Sequence, residues 1–171
     1  VIGMSILLQP DNASDNYQLK RVYAWLRPDE YPQDAMQQQN SIIAIGSGQL
    51  YGKGLNNDEV TSVKNGNFIA EAQTDFIFAV AGEETGFVGC CVLVVLEFLI
   101  ALECLLVGRR AKLLSGTLIC CGMAAQIFFQ TFINISVATG LMPNTGITLP
   151  FVSYGLTSLV SFCIGIGFVL N

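Results

Sequence analysis

The chain has 171 residues, of which 52% are hydrophobic and 12% charged, with a formal net charge of -5 and a mean hydropathy of +0.55. A soluble domain carries about 25% charged residues, so this composition excludes an ordinary soluble globule and indicates a membrane protein. The acidic balance, with no basic run and no aromatic–basic pattern, excludes a nucleic-acid partner.

The charges are unevenly placed. Sixteen of the twenty-one lie before Gly86; after it only Glu97, Glu103, Arg109, Arg110 and Lys112 remain. One polar region therefore precedes a long apolar one. Residues 1–8 form an apolar run too short to cross a bilayer and read as the end of a span. The chain is accordingly expected to be an internal or C-terminal piece of a longer membrane protein. Gln9, Pro10 and the Asp/Asn/Ser-rich stretch that follows form the exit turn.

The polar region runs over 17–73. Residues 19–26 fit a short amphipathic helix, with Tyr23 and Trp25 suited to a headgroup-level belt, and Pro28 and Pro32 break it. Residues 37–45 turn from Gln-rich to apolar and lead into Gly46, Gly48, Gly52 and Gly54. That glycine spacing matches neither phosphate-loop pattern, and no strand–helix alternation surrounds it. A turn at the membrane surface, or a loop where substrate approaches the backbone closely, is expected instead. Residues 56–67 read as a solvated loop.

Asp75 stands where the polarity changes, directly before Phe76, Ile77 and Phe78. A carboxylate at the mouth of an apolar segment is costly to desolvate and points to a partner or to chemistry. The plainer reading is a helix N-terminus, with Thr74 or Asp75 as cap. The two readings are compatible.

Three spans follow, at about 83–107, 114–140 and 151–170. The apolar run 87–107 holds 21 residues, enough at about 1.5 Å each to cross a core of about 30 Å. Arg109, Arg110 and Lys112 form the basic cluster between closely spaced spans and place that loop in the cytoplasm, so that the polar region and the turn at 142–150 face outward. The second span is longer than needed and is expected to tilt. Glycines 155, 165 and 167 in or beside the third allow close helix approach. The six cysteines all fall in apolar segments and, with no histidine in the chain, read as small packing residues and not as a disulfide framework or a metal site. Within the spans, Gln126, Gln130 and Asn134 recur every four residues on one helix face, as interhelical hydrogen-bonding residues or as the lining of a polar cavity. Glu103 is expected to reach Arg109 or Arg110, and Glu97, near mid-span, has no evident partner.

The following residues share one resemblance, in order along the chain: Arg21; the AIGSG core at 44–48; Gly52, Lys53 and Gly54; TDFIF at 74–78; GEE at 82–84; GFVG at 86–89; Asn134; and PNTGITLPFVSYG at 143–155. Together they resemble the SEDS family, the RodA- and FtsW-type glycan polymerases and their sporulation relatives. The resemblance covers nearly the whole chain from about Arg21. It implies an all-α, polytopic transmembrane helix bundle of ten spans. On that map residues 1–9 end a span, 10–75 form a large extracytoplasmic loop, and 76–171 carry the last three spans. It further implies polymerisation of a lipid-linked disaccharide–pentapeptide, the peptidoglycan precursor, into glycan strands. The expected setting is the outer face of the bacterial plasma membrane, beside a class B penicillin-binding transpeptidase.

The family's essential carboxylate falls on Asp75. The implied substrate-binding set is Arg21, Lys53, Ser47, Gly48, Thr74, Glu83, Glu84, Asn134, Ser153 and Tyr154. No dedicated protein metal site is expected; cation stabilisation of a diphosphate leaving group comes from Arg21 and Lys53 or from a divalent ion, Mg2+ or Mn2+, near Asp75. Asp75 serves either as base or as ligand of that ion. Two departures stand out. Residues 70–73 read Ala-Glu-Ala-Gln where the family commonly has Pro-Glu-x-His, which removes a titratable neighbour of Asp75. Leu156 replaces the second glycine of the family's SYGG. Rival readings are a flippase or transporter for the lipid-linked precursor, drawing on Glu97 and the amide stripe, and a non-enzymatic scaffold for the transpeptidase.

Overall fold

A computed structural model describes residues 17–54 and 74–170; the expected span end at 1–9 and the loop at 56–67 lie outside them. The described residues contain five helices and no strand: α1 (Tyr17–Leu26), α2 (Pro32–Gly48), α3 (Ile77–Arg110), α4 (Leu114–Ala138) and α5 (Leu156–Leu170).

The helix α3 is 34 residues long and α4 is 25. In their most apolar windows only 22% and 28% of residues are buried. Core helices of soluble proteins are mostly buried, so the outward-facing Val92, Leu96, Leu99 and Phe129 need an apolar surrounding. At about 1.5 Å per residue, α3 would be about 50 Å long if straight, more than a hydrocarbon core of about 30 Å requires. It is not straight: Gly86, at φ 68° and ψ -168°, breaks it. The apolar run anticipated from residue 87 is therefore its second half. The helix of the third span, α5, begins at Leu156 and not at Phe151; its 15 residues cover about 22 Å. Residues 151–155 form a turn instead, with Phe151 at φ 57°.

Small residues let α3, α4 and α5 meet. Ala101, Cys104, Cys120, Ala124 and Ile127 pack with Phe162 and Val169 at the end of the bundle nearer the α3–α4 turn. A Cβ on Gly108 would lie 2.8 Å from Cys120 Cβ, so glycine there sets how closely α3 and α4 approach. Of the cysteines, Cys90, Cys104 and Cys120 are buried packing residues as expected, whereas Cys91, Cys121 and Cys163 are exposed. Gly165 lies against Met123, but Gly167 faces no atom within 4 Å. Arg109 and Arg110 close α3, where cations suit the negative helix end, and Glu103 is exposed and pairs with neither.

The region read as a loop is partly helical. The helix α1 ends at Leu26, ahead of Pro28, and Pro32 does not break it but opens α2, because its fixed φ suits a first helical position. The buried face of α2 is Ala35, Gln38, Ser41, Ala44 and Gly48. It holds down the C-terminus of α4, whose last carbonyls lack intrahelical donors. Gln38 Nε2 donates to the carbonyls of Val137 (2.8 Å) and Met142 (2.7 Å), and Ser41 Oγ donates to that of Ala138 (2.9 Å). From α1, Trp25 Nε1 donates to the Gly140 carbonyl at 2.9 Å. Tyr23, expected in an interfacial belt, is instead buried. The helices α1 and α2 thus seat at the end of the bundle opposite Arg109, Arg110 and Lys112.

Candidate active site

Residues 74–76 form a turn before α3, and Phe76 occupies the helix cap position without a side-chain cap bond. Neither Thr74 nor Asp75 is the cap residue, contrary to the plainer expectation. Phe76 and Phe78 are buried and anchor the turn, Phe76 beside Ala44, Ala79 and Val137, and Phe78 beside Cys90, Ala138 and Leu149.

Two side chains hold the backbone of this turn. From α4, Asn134, 1% exposed, donates through Nδ2 to the carbonyls of Asp75 (2.8 Å) and Ile147 (2.7 Å). Ser153 Oγ donates to the Thr74 carbonyl and accepts from the Leu149 N–H, both at 2.7 Å. The extended segment 143–150 is thereby laid against Thr74 and Asp75. Within it Asn144 Oδ1 accepts the Gly146 N–H at 3.1 Å, an Asx turn, and Gly146 takes φ 71°.

Arg21 arrives from α1. Its Nη1 donates to the Asn144 carbonyl at 3.4 Å. A Cβ built on Gly146 would lie 3.2 Å from Arg21 Nη1 and 3.4 Å from Asp75 Oδ2. A guanidinium and a carboxylate therefore converge on the bare face of one glycine. Such a space pairs a proton acceptor with a fixed cation, the two groups that displacement of a diphosphate calls for.

The remaining candidates sit elsewhere or serve the frame. Lys53 Nζ pairs with Glu83 Oε1 at 2.9 Å, and the Glu83 side chain is only 3% exposed. This pair belongs to a splint across the α3 break. Past Gly86 the N–H groups of Phe87 and Val88 donate to the carbonyls of Gln49 (2.9 Å) and Leu50 (3.2 Å); before it, the carbonyls of Glu83 and Glu84 accept from the N–H groups of Lys53 (2.9 Å) and Gly54 (3.1 Å). A Cβ on Gly48 would run into the Gly82 carbonyl, and one on Gly52 into Glu84. These two glycines do meet a close approach, but it comes from the protein's own α3 and not from the substrate that was expected. Ser47 Oγ donates to Ala44 within α2. Tyr154 is 83% exposed. The structure thus gathers Asp75, Arg21, Thr74, Asn134 and Ser153, and joins Lys53, Glu83, Glu84 and Gly48 at the break. Asn144 and Gly146 were missed, although an Asn-x-Gly sequence is a turn signal.

The amide stripe of α4 does not act as a unit. Asn134 is buried and bonded, Gln130 is half-buried and Gln126 is exposed. Glu97 is 4% exposed, and its Oε2, like Thr131 Oγ1, has no hydrogen-bond partner among the described residues. No group of three or more His, Cys, Asp or Glu side chains that could hold a metal occurs among the described residues.

The family model described as "Cell cycle protein", for FtsW, RodA and SpoVE, matches residues 1–171. The chain is 38% identical over 160 residues to a probable peptidoglycan glycosyltransferase FtsW of Tolumonas auensis, covering 91% of this chain and 40% of the relative. It is 36% identical over 172 residues to the protein of the same name from Lactococcus lactis, covering 100% of this chain and again 40% of the relative. The chain therefore spans about two fifths of the length of these curated relatives. Among solved structures it superposes with a TM-score of 0.65 and 30% identity, over 99% of this chain and 46% of the other, on a chain from work described as "Structural coordination of polymerization and crosslinking by a peptidoglycan synthase complex". With the whole length matched and these identities, the chain belongs to the FtsW/RodA/SpoVE family of cell cycle proteins.

Proposed function

We propose that this chain carries the outward-facing half of the active site of a peptidoglycan glycan polymerase acting in cell-wall synthesis. The observation that carries the reading is the convergence of Arg21 and Asp75 over Gly146, in a chain whose relatives are named as peptidoglycan glycosyltransferases. In the proposed step Asp75 takes the proton of an attacking sugar hydroxyl. That oxygen bonds to the anomeric carbon of the lipid-linked sugar, and the bond from that carbon to the diphosphate breaks. The leaving diphosphate carries away the bonding electron pair, and Arg21 balances its charge. Asn134 and Ser153 do not touch substrate in this scheme; they hold the backbone of Asp75 and Thr74. Lys53 and Glu83 brace the helix that follows.

The partner is a class B penicillin-binding transpeptidase, in keeping with the synthase complex that the chain resembles. Of the two features the transporter reading drew on, Glu97 is buried, and the amide stripe divides among buried Asn134, half-buried Gln130 and exposed Gln126. The test is polymerisation of purified lipid-linked precursor by the full-length protein with its transpeptidase, the latter blocked by a β-lactam. Glycan strands are expected. Precursor translocation across vesicles without strands would favour the transporter, and neither activity would favour the scaffold.

Orientation follows from the basic cluster, with residues 108–112 in the cytoplasm and Asp75 at the opposite, outer end. With the native cysteines replaced in the full-length protein, Tyr51→Cys, 83% exposed, is expected to react with an impermeant reagent in intact cells. Lys112→Cys is expected to react only after permeabilisation. The reverse pattern would invert the topology.

A further inference from the structure

We propose that Gly146 is a positioning residue for the polymerase reaction: it sets the spacing between the Asp75 carboxylate and the Arg21 guanidinium. The inference rests on the catalytic reading of Asp75. Three observations meet at this position. The backbone has φ 71°, which glycine adopts freely and most side-chain-bearing residues do not. The turn is locked from both sides, by Asn144 Oδ1 on the Gly146 N–H and by Asn134 on the next carbonyl, that of Ile147, so the glycine cannot back away. The site of its missing Cβ lies 3.2 Å from Arg21 Nη1 and 3.4 Å from Asp75 Oδ2.

A methyl group in that place presses on the guanidinium, at 3.2 Å, and comes into ordinary contact with the carboxylate, at 3.4 Å. Arg21 is itself tied to Asn144 of the same turn, so it has little freedom to yield without breaking that bond. A displacement of a few tenths of an ångström then falls on the guanidinium, and so on its spacing from the carboxylate, which sets the rate. No other described glycine at positive φ has a carboxylate or guanidinium beside its missing Cβ. Gly140 meets Ile42, Gly52 and Gly86 meet backbone, and Gly54 meets nothing.

The experiment uses the full-length protein with its transpeptidase. Gly146→Ala is expected to lower kcat for polymerisation by roughly 10- to 100-fold with KM little changed, as a misplacement of catalytic groups does. Gly140→Ala, equally strained by φ 80° but set against Ile42, is expected to lower thermal stability while kcat holds. Gly146→Asn separates strain from crowding, because asparagine tolerates positive φ yet still carries a Cβ. It is expected to fold with near-normal stability and to keep the kcat defect. In the Arg21→Lys background, where the cation is smaller, Gly146→Ala is expected to cost markedly less than in the parent. Recovery of kcat by Gly146→Asn, strictly additive losses with Arg21→Lys, or failure of both Gly146 variants to fold would each leave Gly146 a purely structural turn residue. Polymerisation surviving Asp75→Asn would instead remove the reading beneath the inference, and that result is independent of any Gly146 variant.

Discussion

Asp75→Asn is expected to abolish glycan polymerisation, by about 1,000-fold or more if the carboxylate is the base, while thermal stability and transpeptidase binding persist. The substitution keeps size and shape and removes only the charge and the proton-accepting oxygen. The backbone contacts survive it: Asn134 still donates to the carbonyl of residue 75, and Ser153 still donates to that of Thr74. A capping role would predict the opposite result, because Asn and Asp cap about equally well. The structure already weakens that role, since Phe76 and not Asp75 stands at the cap position of α3. Asn is therefore more informative than Ala, which would remove charge and hydrogen bonding together. The measurement is strand formation from lipid-linked precursor by the full-length variant, with melting temperature and partner pull-down in parallel. Near-normal strand formation would eliminate Asp75 from the chemistry.

Asn134→Leu is expected to damage both stability and activity. Leu keeps the branching at Cγ, with two bulkier methyl ends, but leaves the carbonyls of Asp75 and Ile147 without their donor, in a place where Asn134 is 1% exposed. Each orphaned buried carbonyl costs about 1–3 kcal/mol. Asn134 Oδ1 has no partner among the described residues, and losing that unsatisfied atom offsets part of the cost, so a net loss of about 2–4 kcal/mol is expected. Activity should fall by roughly 100-fold as well, because the freed segment 143–150 no longer pins the backbone of Asp75. Asn134→Asp should be worse still, since an ionised carboxylate would face two carbonyl oxygens with nothing to donate. Thermal unfolding in detergent, beside the strand assay, checks both. A Leu variant with the parent's melting temperature would mean that the two bonds do not hold the site.

Much of this was legible in the chain itself. Hydropathy and charge depend only on composition along the sequence, and they suffice for the apolar run from residue 87, the basic turn at Arg109–Lys112 and the polarity switch at Asp75. Motif spacing identified the family because its blocks are long and ordered. The helix α2 was not legible, for a physical reason. Its buried face is Ala35, Gln38, Ser41, Ala44 and Gly48, too small and polar to show an apolar stripe, and much of its anchoring comes from hydrogen bonds to carbonyls of Val137, Ala138 and Met142, about a hundred residues away. Glycines 48 and 52 announced a close approach, but only the folded chain showed that the approaching backbone is α3 at its Gly86 break. The site divides the same way. Asp75 was marked by its place at the head of an apolar segment. Its convergence with Arg21, far off in sequence, on the bare face of Gly146 was decided by tertiary structure alone, since convergence over one bare Cα is a property of three elements packed together and of none taken singly.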